Sequence, residues 1–240
     1  MKVQLFPSID LRGGRVVRLR QGDYARETVY GDDPVAVAET FVDGGAGWIH
    51  IVDLDAARTG EPANRGAIRA IAEATAGRAS LQVGGGVRSL DDASALADAG
   101  AARVVMGSAA VADPQLVDVV AGRVPVAVAL DHRRGVVAVE GWTSSSALTV
   151  EEGLARFPSA AAFVITDIQR DGSLSGPDLD GITATVAATA VPVIASGGVA
   201  SLDHVRALAA IPGLGGIITG RAIYEGRFSV ADALAAVDRS

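Results

Sequence analysis

A single (β/α)8 barrel is the fold that the sequence predicts, and three observations predict it. The chain has 240 residues, close to the usual length of one such barrel. Eight short apolar runs alternate with eight helical segments, as parallel strands joined by helices would. The second half also repeats motifs of the first at a nearly constant offset, which points to two half-barrels rather than an open doubly wound sheet. Residues 1–240 are accordingly read as one barrel domain.

The strands are expected near 3–9 (VQLFPSI), 48–53 (WIHIVD), 80–84 (SLQVG), 103–107 (RVVMG), 124–130 (VPVAVAL), 162–167 (AFVITD), 191–195 (VPVIA) and 215–219 (GGIIT). They are short and almost continuously apolar, as strands covered on both faces should be. With aromatics at only 4% of a chain that is 49% hydrophobic, Ala, Val, Ile and Leu must fill the core. Helices are expected at about 33–44, 64–75, 89–99, 113–121, 149–156, 178–188, 202–210 and 229–238. Segment 89–99 opens with Ser89 as N-cap and acids in the first turn, and the helix after Ser201 opens in the same way.

The repeat is specific. GGVRSLDDASAL at 85–96 matches GGVASLDHVRAL at 197–208, an offset of 112. VVMGSAAV around Gly107 echoes IITGRAIY around Gly220, and IVDLD around Asp53 echoes ITDIQ around Asp167. A dinucleotide-binding pair would carry its glycine fingerprint after the first strand of each half. Here the glycines follow strands 3, 4, 7 and 8.

The chain has no cysteine, so disulfides, thiolate metal sites and a cysteine nucleophile are excluded. His50, His132 and His204 show no metal-ligand spacing, and neither metal nor cofactor is expected. The start, MKVQLFPSIDLRGG, has no long apolar segment, and no uncharged run approaches the roughly 18 residues of a membrane span. A cytoplasmic protein without an obligatory protein partner is expected. A formal charge of −7 argues against nucleic acid but not against a small anion held by a few backbone N–H groups.

Two constellations carry chemistry. The first is four glycine-rich turns, VGGGVRS (83–89), MGSAA (106–110), ASGGVAS (195–201) and TGRAI (219–223), each leading from strand to helix. Glycine lets a backbone approach an oxyanion, and the helix behind it offers free N–H groups. The turns after barrel strands 7 and 8 commonly bind phosphate. The repeat implies a second such site opposite, after strands 3 and 4, for a ligand with a phosphate at each end. The second constellation is a set of carboxylates at strand ends: Asp10, Asp53, Asp131, Asp167 and Asp171. Strands 1 and 5 oppose each other in an eight-stranded ring, so Asp10 and Asp131 would face across the ligand as the acid and base of a sugar isomerisation. Asp53 is read as architectural, and Asp171 as either catalytic or part of its polar loop. Arg18 is expected in a surface hairpin, facing ligand or solvent. Trp142 would stack on a heterocycle or cover its loop. The loops at 20–32 and 140–148 and the DGSLSG segment are candidates to close over the ligand.

SIDLRGGRVVRLRQGDY, HIVDLDAA, QVGGGVR, ALDHRRG with EGW, ITDIQRDGSLSGPDLD and ITGRAIYEGRF follow one another along essentially the whole chain. Together they resemble the phosphoribosylformimino-aminoimidazole carboxamide ribotide isomerases of histidine biosynthesis. The resemblance implies an Amadori rearrangement of an aminoaldose ribotide to an aminoketose. It assigns Asp10 as general base, Asp131 as general acid, Asp171 as an alternative acid and Thr166 as a supporting hydroxyl. It places Gly85, Gly86, Gly107 and Ser108 at one phosphate, and Gly176, Gly197, Gly198, Gly220 and Arg221 at the other.

An actinobacterial branch of this family also isomerises phosphoribosylanthranilate. Its members carry a serine in the turn after strand 3 and an arginine two residues before the loop tryptophan. This chain has Gly84 and Glu140 there, and a carboxylate would repel the anthranilate carboxylate. A single substrate is therefore expected, with the dual-substrate branch as the alternative that an Ala-, Arg- and Asp-rich composition, suggestive of a high-GC genome, keeps open. The related cyclase of imidazole glycerol phosphate synthesis resembles a sequence with Cys-Leu-Asp near its start and a lysine soon after. Here Ser8-Ile9-Asp10 and Arg18 stand instead. A non-catalytic phosphosugar-binding protein would gain nothing from carboxylates beside the phosphates.

Overall fold

The computed structural model describes residues 2–238. Eight parallel strands close into a ring. They are β1 (Gln4–Arg12), then, after a hairpin of β2 (Arg15–Arg20) and β3 (Asp23–Gly31), β4 (Trp48–Asp53), β5 (Ser80–Gly84), β6 (Ala101–Met106) and β7 (Val126–Arg133). Two further antiparallel strands, β8 (Val136–Val139) and β9 (Ser144–Thr149), precede β10 (Ala162–Asp167), β11 (Val193–Ser196) and β12 (Leu214–Thr219). The ring runs β1-β4-β5-β6-β7-β10-β11-β12, and β12 returns to β1 through the register Gln4↔Gly216 to Pro7↔Thr219.

Around it lie α1 (Pro34–Asp43), α2 (Leu54–Thr59), α3 (Arg65–Ala74), α4 (Leu90–Asp98), α5 (Ser108–Ala112) and α6 (Pro114–Ala121). The second half adds α7 (Val150–Arg156), α8 (Leu179–Ala188), α9 (Leu202–Ala209), α10 (Arg221–Tyr224) and α11 (Val230–Asp238). Side chains alternate along the strands. One set, including Leu5, Ile9, Ile49, Ile51, Val128 and Leu130, packs in the large core beneath the helices. The other, including Phe6, Val105, Ala127, Val164, Ile194 and Ile218, forms a separate cluster within the ring.

The duplication seen in the sequence is present in the backbone. Ser89 and Ser201 cap α4 and α9 with nearly the same dihedrals (φ −150, ψ 168 and φ −151, ψ 165), each accepting an N–H three residues on. The glycine pairs before them match too, with φ of 99 and 72 at Gly85–Gly86 and 94 and 80 at Gly197–Gly198. Equal sequence at equal offset has produced equal local structure in both halves.

The structure also corrects the sequence reading. The first strand runs to Arg12 and the fifth to Arg133, beyond the expected ends at 9 and 130, because antiparallel partners extend both. Much of 20–32 and 140–148, read as loops, is strand: β3 and β9. The turns that build these extensions are Gly13–Gly14, Gln21–Gly22 and Arg134–Gly135, each with two successive positive φ values, the conformation that suits two-residue hairpins. Three short helices, α2, α5 and α10, were not expected. Among the described residues no helix is long and apolar enough to cross a membrane.

Candidate active site

Asp10 is two residues before the end of β1, and its side chain enters the mouth of the ring. Arg18 reaches it from β2, with Nη1 2.9 Å from Asp10 Oδ1. The same Arg18 nitrogen donates to Ser8 Oγ at 3.0 Å, and the Ser8 hydroxyl lies 3.3 Å from Asp10 Oδ1. Arg18 is therefore drawn inward from its hairpin, with only 11% of its side chain exposed, and does not face solvent. Ser8 was not singled out by the sequence, although it shares the inward face of β1 with Asp10 by the two-residue strand period.

Asp131 projects from β7, the fifth strand of the ring, opposite β1. Trp142 Nε1 donates to its Oδ2 at 2.8 Å, and the Thr166 hydroxyl, in register with it on β10, is a second donor. Trp142 thus does more than cover its loop: its indole holds the carboxylate. Its ring also lies against Gly22 at the hairpin tip, where an added Cβ would come within 2.6 Å of the indole.

Asp171 follows β10 on the DGSLSG segment and joins the group electrostatically. Burial raises the pKa of Asp10 from its ordinary value, against the lowering effect of Arg18, with Asp171 adding repulsion. Burial also raises Asp131, opposed by its bonds from Trp142 and Thr166 and reinforced by Asp171. Asp171 is raised in the same way, chiefly by burial, with Arg18 opposing. Three carboxylates therefore share one mouth, and Arg18 is the guanidinium that acts on two of them. Arg18 acts on Asp10 and Asp171, while the groups that favour the ionised form of Asp131 are the Trp142 and Thr166 donors and His132.

The turns after β11 and β12 form one side of the mouth. Gly197, Gly198, Thr219, Gly220, Arg221 and Asp171 are among the residues around a narrow cavity of about 20 Å³, which Arg18 also lines. Two polar atoms here are buried without a partner: Arg18 Nε and Thr219 Oγ1. Gly176 stands behind this turn and donates its N–H to Gly198 O at 2.9 Å. Gly198 has φ +80, and a Cβ there would lie 2.1 Å from Gly176 O. Arg221 begins α10, where its guanidinium binds Glu225 at 2.6 Å and the Gly172 carbonyl. Across the ring, Gly85 and Gly86 rest on the backbone of Asp53 and Ala56. Gly107 is the N-cap of α5, and Ser108 Oγ accepts the Glu140 N–H at 2.8 Å.

Three segments meet over the carboxylates. Gln21 Nε2 donates to Gln169 O at 2.8 Å, Gly172 packs on Leu19 O, and Trp142 covers Gly22. The remaining candidates make local contacts. Asp53 caps α2 and is held by Asn64. Asp167 pairs with Arg170 at 3.0 Å. His50 is bonded to Gln82, while His132 and His204 each accept a backbone N–H. No group of three or more potential metal ligands occurs among the described residues.

Residues 4–229 match the model of the family described as "Histidine biosynthesis protein". The chain is 48% identical over 240 residues to a protein of Sorangium cellulosum, covering 98% of this chain and 99% of the other. It is 48% identical over 241 residues to one of Afipia carboxidovorans (98% and 96%) and 47% over 243 residues to one of Geobacillus thermodenitrificans (98% and 97%). Each relative is named a 1-(5-phosphoribosyl)-5-((5-phosphoribosylamino)methylideneamino)imidazole-4-carboxamide isomerase.

Proposed function

The chain belongs to the histidine biosynthesis protein family, and from that footing we propose how its residues carry the isomerisation. It is an aldose–ketose isomerase of histidine biosynthesis acting on a small-molecule substrate, an imidazole carboxamide with two phosphoribosyl groups. In the proposed mechanism Asp131, protonated, gives its proton to the ring oxygen of the aminoaldose ribose. The ring opens to a Schiff base. Asp10, ionised, then takes the proton from the second sugar carbon, and the resulting enolamine relaxes to the aminoketose. The proton count balances: one is donated at the ring oxygen and one is removed at carbon.

The observation that supports this division of roles is the placement of Arg18. Its guanidinium is 2.9 Å from Asp10 and favours the ionised form there, as a base requires. Asp171 repels both carboxylates, but Asp131 meets the Trp142 and Thr166 donors and the lesser influence of His132 where Asp10 meets a guanidinium, so we place the proton held by the cluster on Asp131. Environments that separate two carboxylates in this way define an acid and a base. Asp171 shares Arg18 with Asp10, which makes it the weaker choice of acid. Thr166 orients Asp131.

The two phosphates are assigned to the two pairs of glycine turns: one to Gly85, Gly86, Gly107 and Ser108, the other to Gly197, Gly198, Gly220 and Arg221, with Gly176 buttressing the turn. Thr219 Oγ1 and Arg18 Nε, both unpartnered, are further donors for the second. The narrow cavity there has room for little more than water, so the segments that meet over the mouth must part to admit substrate. The proposed chemistry belongs in the cytoplasm and calls for neither a protein partner nor a metal.

We further propose that phosphoribosylanthranilate is excluded. Glu140 sits at the β8–β9 tip with its Oε2 accepting from Ser144 Oγ at 2.6 Å, close to Ser108 through its own N–H. A Cβ on Gly84 would come within 3.0 Å of Val105, leaving little room for a serine. The test is a parallel steady-state assay on the aminoaldose ribotide and phosphoribosylanthranilate. Turnover of the first alone is expected. Comparable turnover of both would overturn the exclusion, and turnover of neither by folded protein would overturn the acid–base mechanism.

A further inference from the structure

A second, larger cavity lies outside the mouth, between the β2–β3 hairpin and α10. Its volume is about 370 Å³, and Arg18, Arg20, Arg26 and Arg221 all stand on its wall. The hairpin explains the clustering. Arg18 and Arg20 alternate on β2, and Arg26, Thr28 and Tyr30 alternate on β3, so one face of the ribbon carries three arginines. Arg18, Gly172 and Arg221 also line the narrow cavity at Gly197, Gly198 and Gly220. The two spaces therefore share a wall.

The charge there is not neutralised. Glu27 is the one acid on the wall, and it is bonded to Arg12. Arg18 is matched by Asp10 and Arg221 by Glu225. Among the described residues Arg20 and Arg26 make no ion pair or side-chain hydrogen bond. Both are exposed, on a chain whose net charge of −7 gives an overall field that repels a doubly phosphorylated ligand. A cleft lined by one sign of charge concentrates counter-ions locally even when the net charge has the opposite sign.

We propose that this cavity is an accessory anion site, which docks a phosphomonoester end of the substrate before that end enters the turn site at Gly197, Gly198 and Gly220. Arg20 and Arg26 attract the phosphate, and Arg18, common to both spaces, passes it inward. The inference rests on the substrate class proposed above, which the test treats separately.

The test is the double variant Arg20→Gln, Arg26→Gln, both changes being on exposed hairpin positions. With the aminoaldose ribotide at low ionic strength, kcat is expected within about twofold of wild type while kcat/KM falls about tenfold, and its salt dependence flattens. Unchanged kcat/KM and salt dependence, or a fall confined to kcat, would overturn the docking role. Calorimetric titration with ribose 5-phosphate gives a readout independent of turnover. Its affinity should fall by a similar factor in the variant, and equal affinity would overturn the proposal even if the wild type proved inactive on the ribotide. Inactive wild type with the expected loss of ribose 5-phosphate affinity would instead fault the substrate and leave the anion site standing.

Discussion

Beside Asp131, the Trp142 indole and the Thr166 hydroxyl both favour the ionised carboxylate, yet burial and Asp171 keep its pKa raised. In the role of acid proposed above, Asp131 must be protonated to act, so activity is expected to fall as pH rises through that pKa. Trp142→Phe keeps a ring against Gly22 but removes the donor. The Asp131 pKa should then rise further, and the alkaline limb of kcat/KM should move to higher pH. A limb that stays in place or moves down would remove Asp131 from the role of acid; because the carboxylates interact, the limb belongs to the cluster as a group. Asp10 and Asp131 were legible in the sequence because strand ends in a barrel point to one mouth. The coupling through Arg18 was not. It depends on a long side chain folding back from β2, and spacing along the chain gives no sign of that. Ser8 was within reach of a period-two argument, whereas Thr219 shows its importance only as a buried hydroxyl without a partner.

The turns and caps are the elements that read most directly. Two glycine pairs and two serine caps recur at one offset with the same dihedrals, because these conformations are set by residues within the turn itself. Gly198 shows what the turn requires. Its φ of +80 disfavours any side chain, and a Cβ would meet Gly176 O at 2.1 Å. Gly198→Ala should lower stability by about 1–3 kcal/mol and weaken ribose 5-phosphate binding, read by thermal unfolding and calorimetry. A variant of wild-type stability and affinity would show that the turn is not held as described. The hairpins read poorly by comparison. β3 is exposed or half-buried along its length, so it lacks the apolar pattern by which the ring strands were found. The helices α2, α5 and α10 have six, five and four residues, too short for a hydrophobic period to show.

At the scale of the molecule, the barrel places the two aspartates on opposite strands and the two pairs of turns on opposite sides of one mouth. In the function proposed above, a ligand with a phosphate at each end would lie with its middle between the two carboxylates. The placement of the aspartates and the turns was legible from the repeat, since a duplicated half-barrel puts equivalent motifs across the ring. What the repeat did not disclose is the asymmetry between halves: Asp10 received an arginine and Asp131 a tryptophan. The central claim is that this asymmetry makes Asp10 the base. The measurement that tests it most directly is turnover of the aminoaldose ribotide by Asp10→Asn, with substrate affinity taken from calorimetry on the same protein. The account predicts that almost all turnover is lost while affinity stays within about tenfold, roughly 1.4 kcal/mol. Turnover near that of the wild type would contradict it.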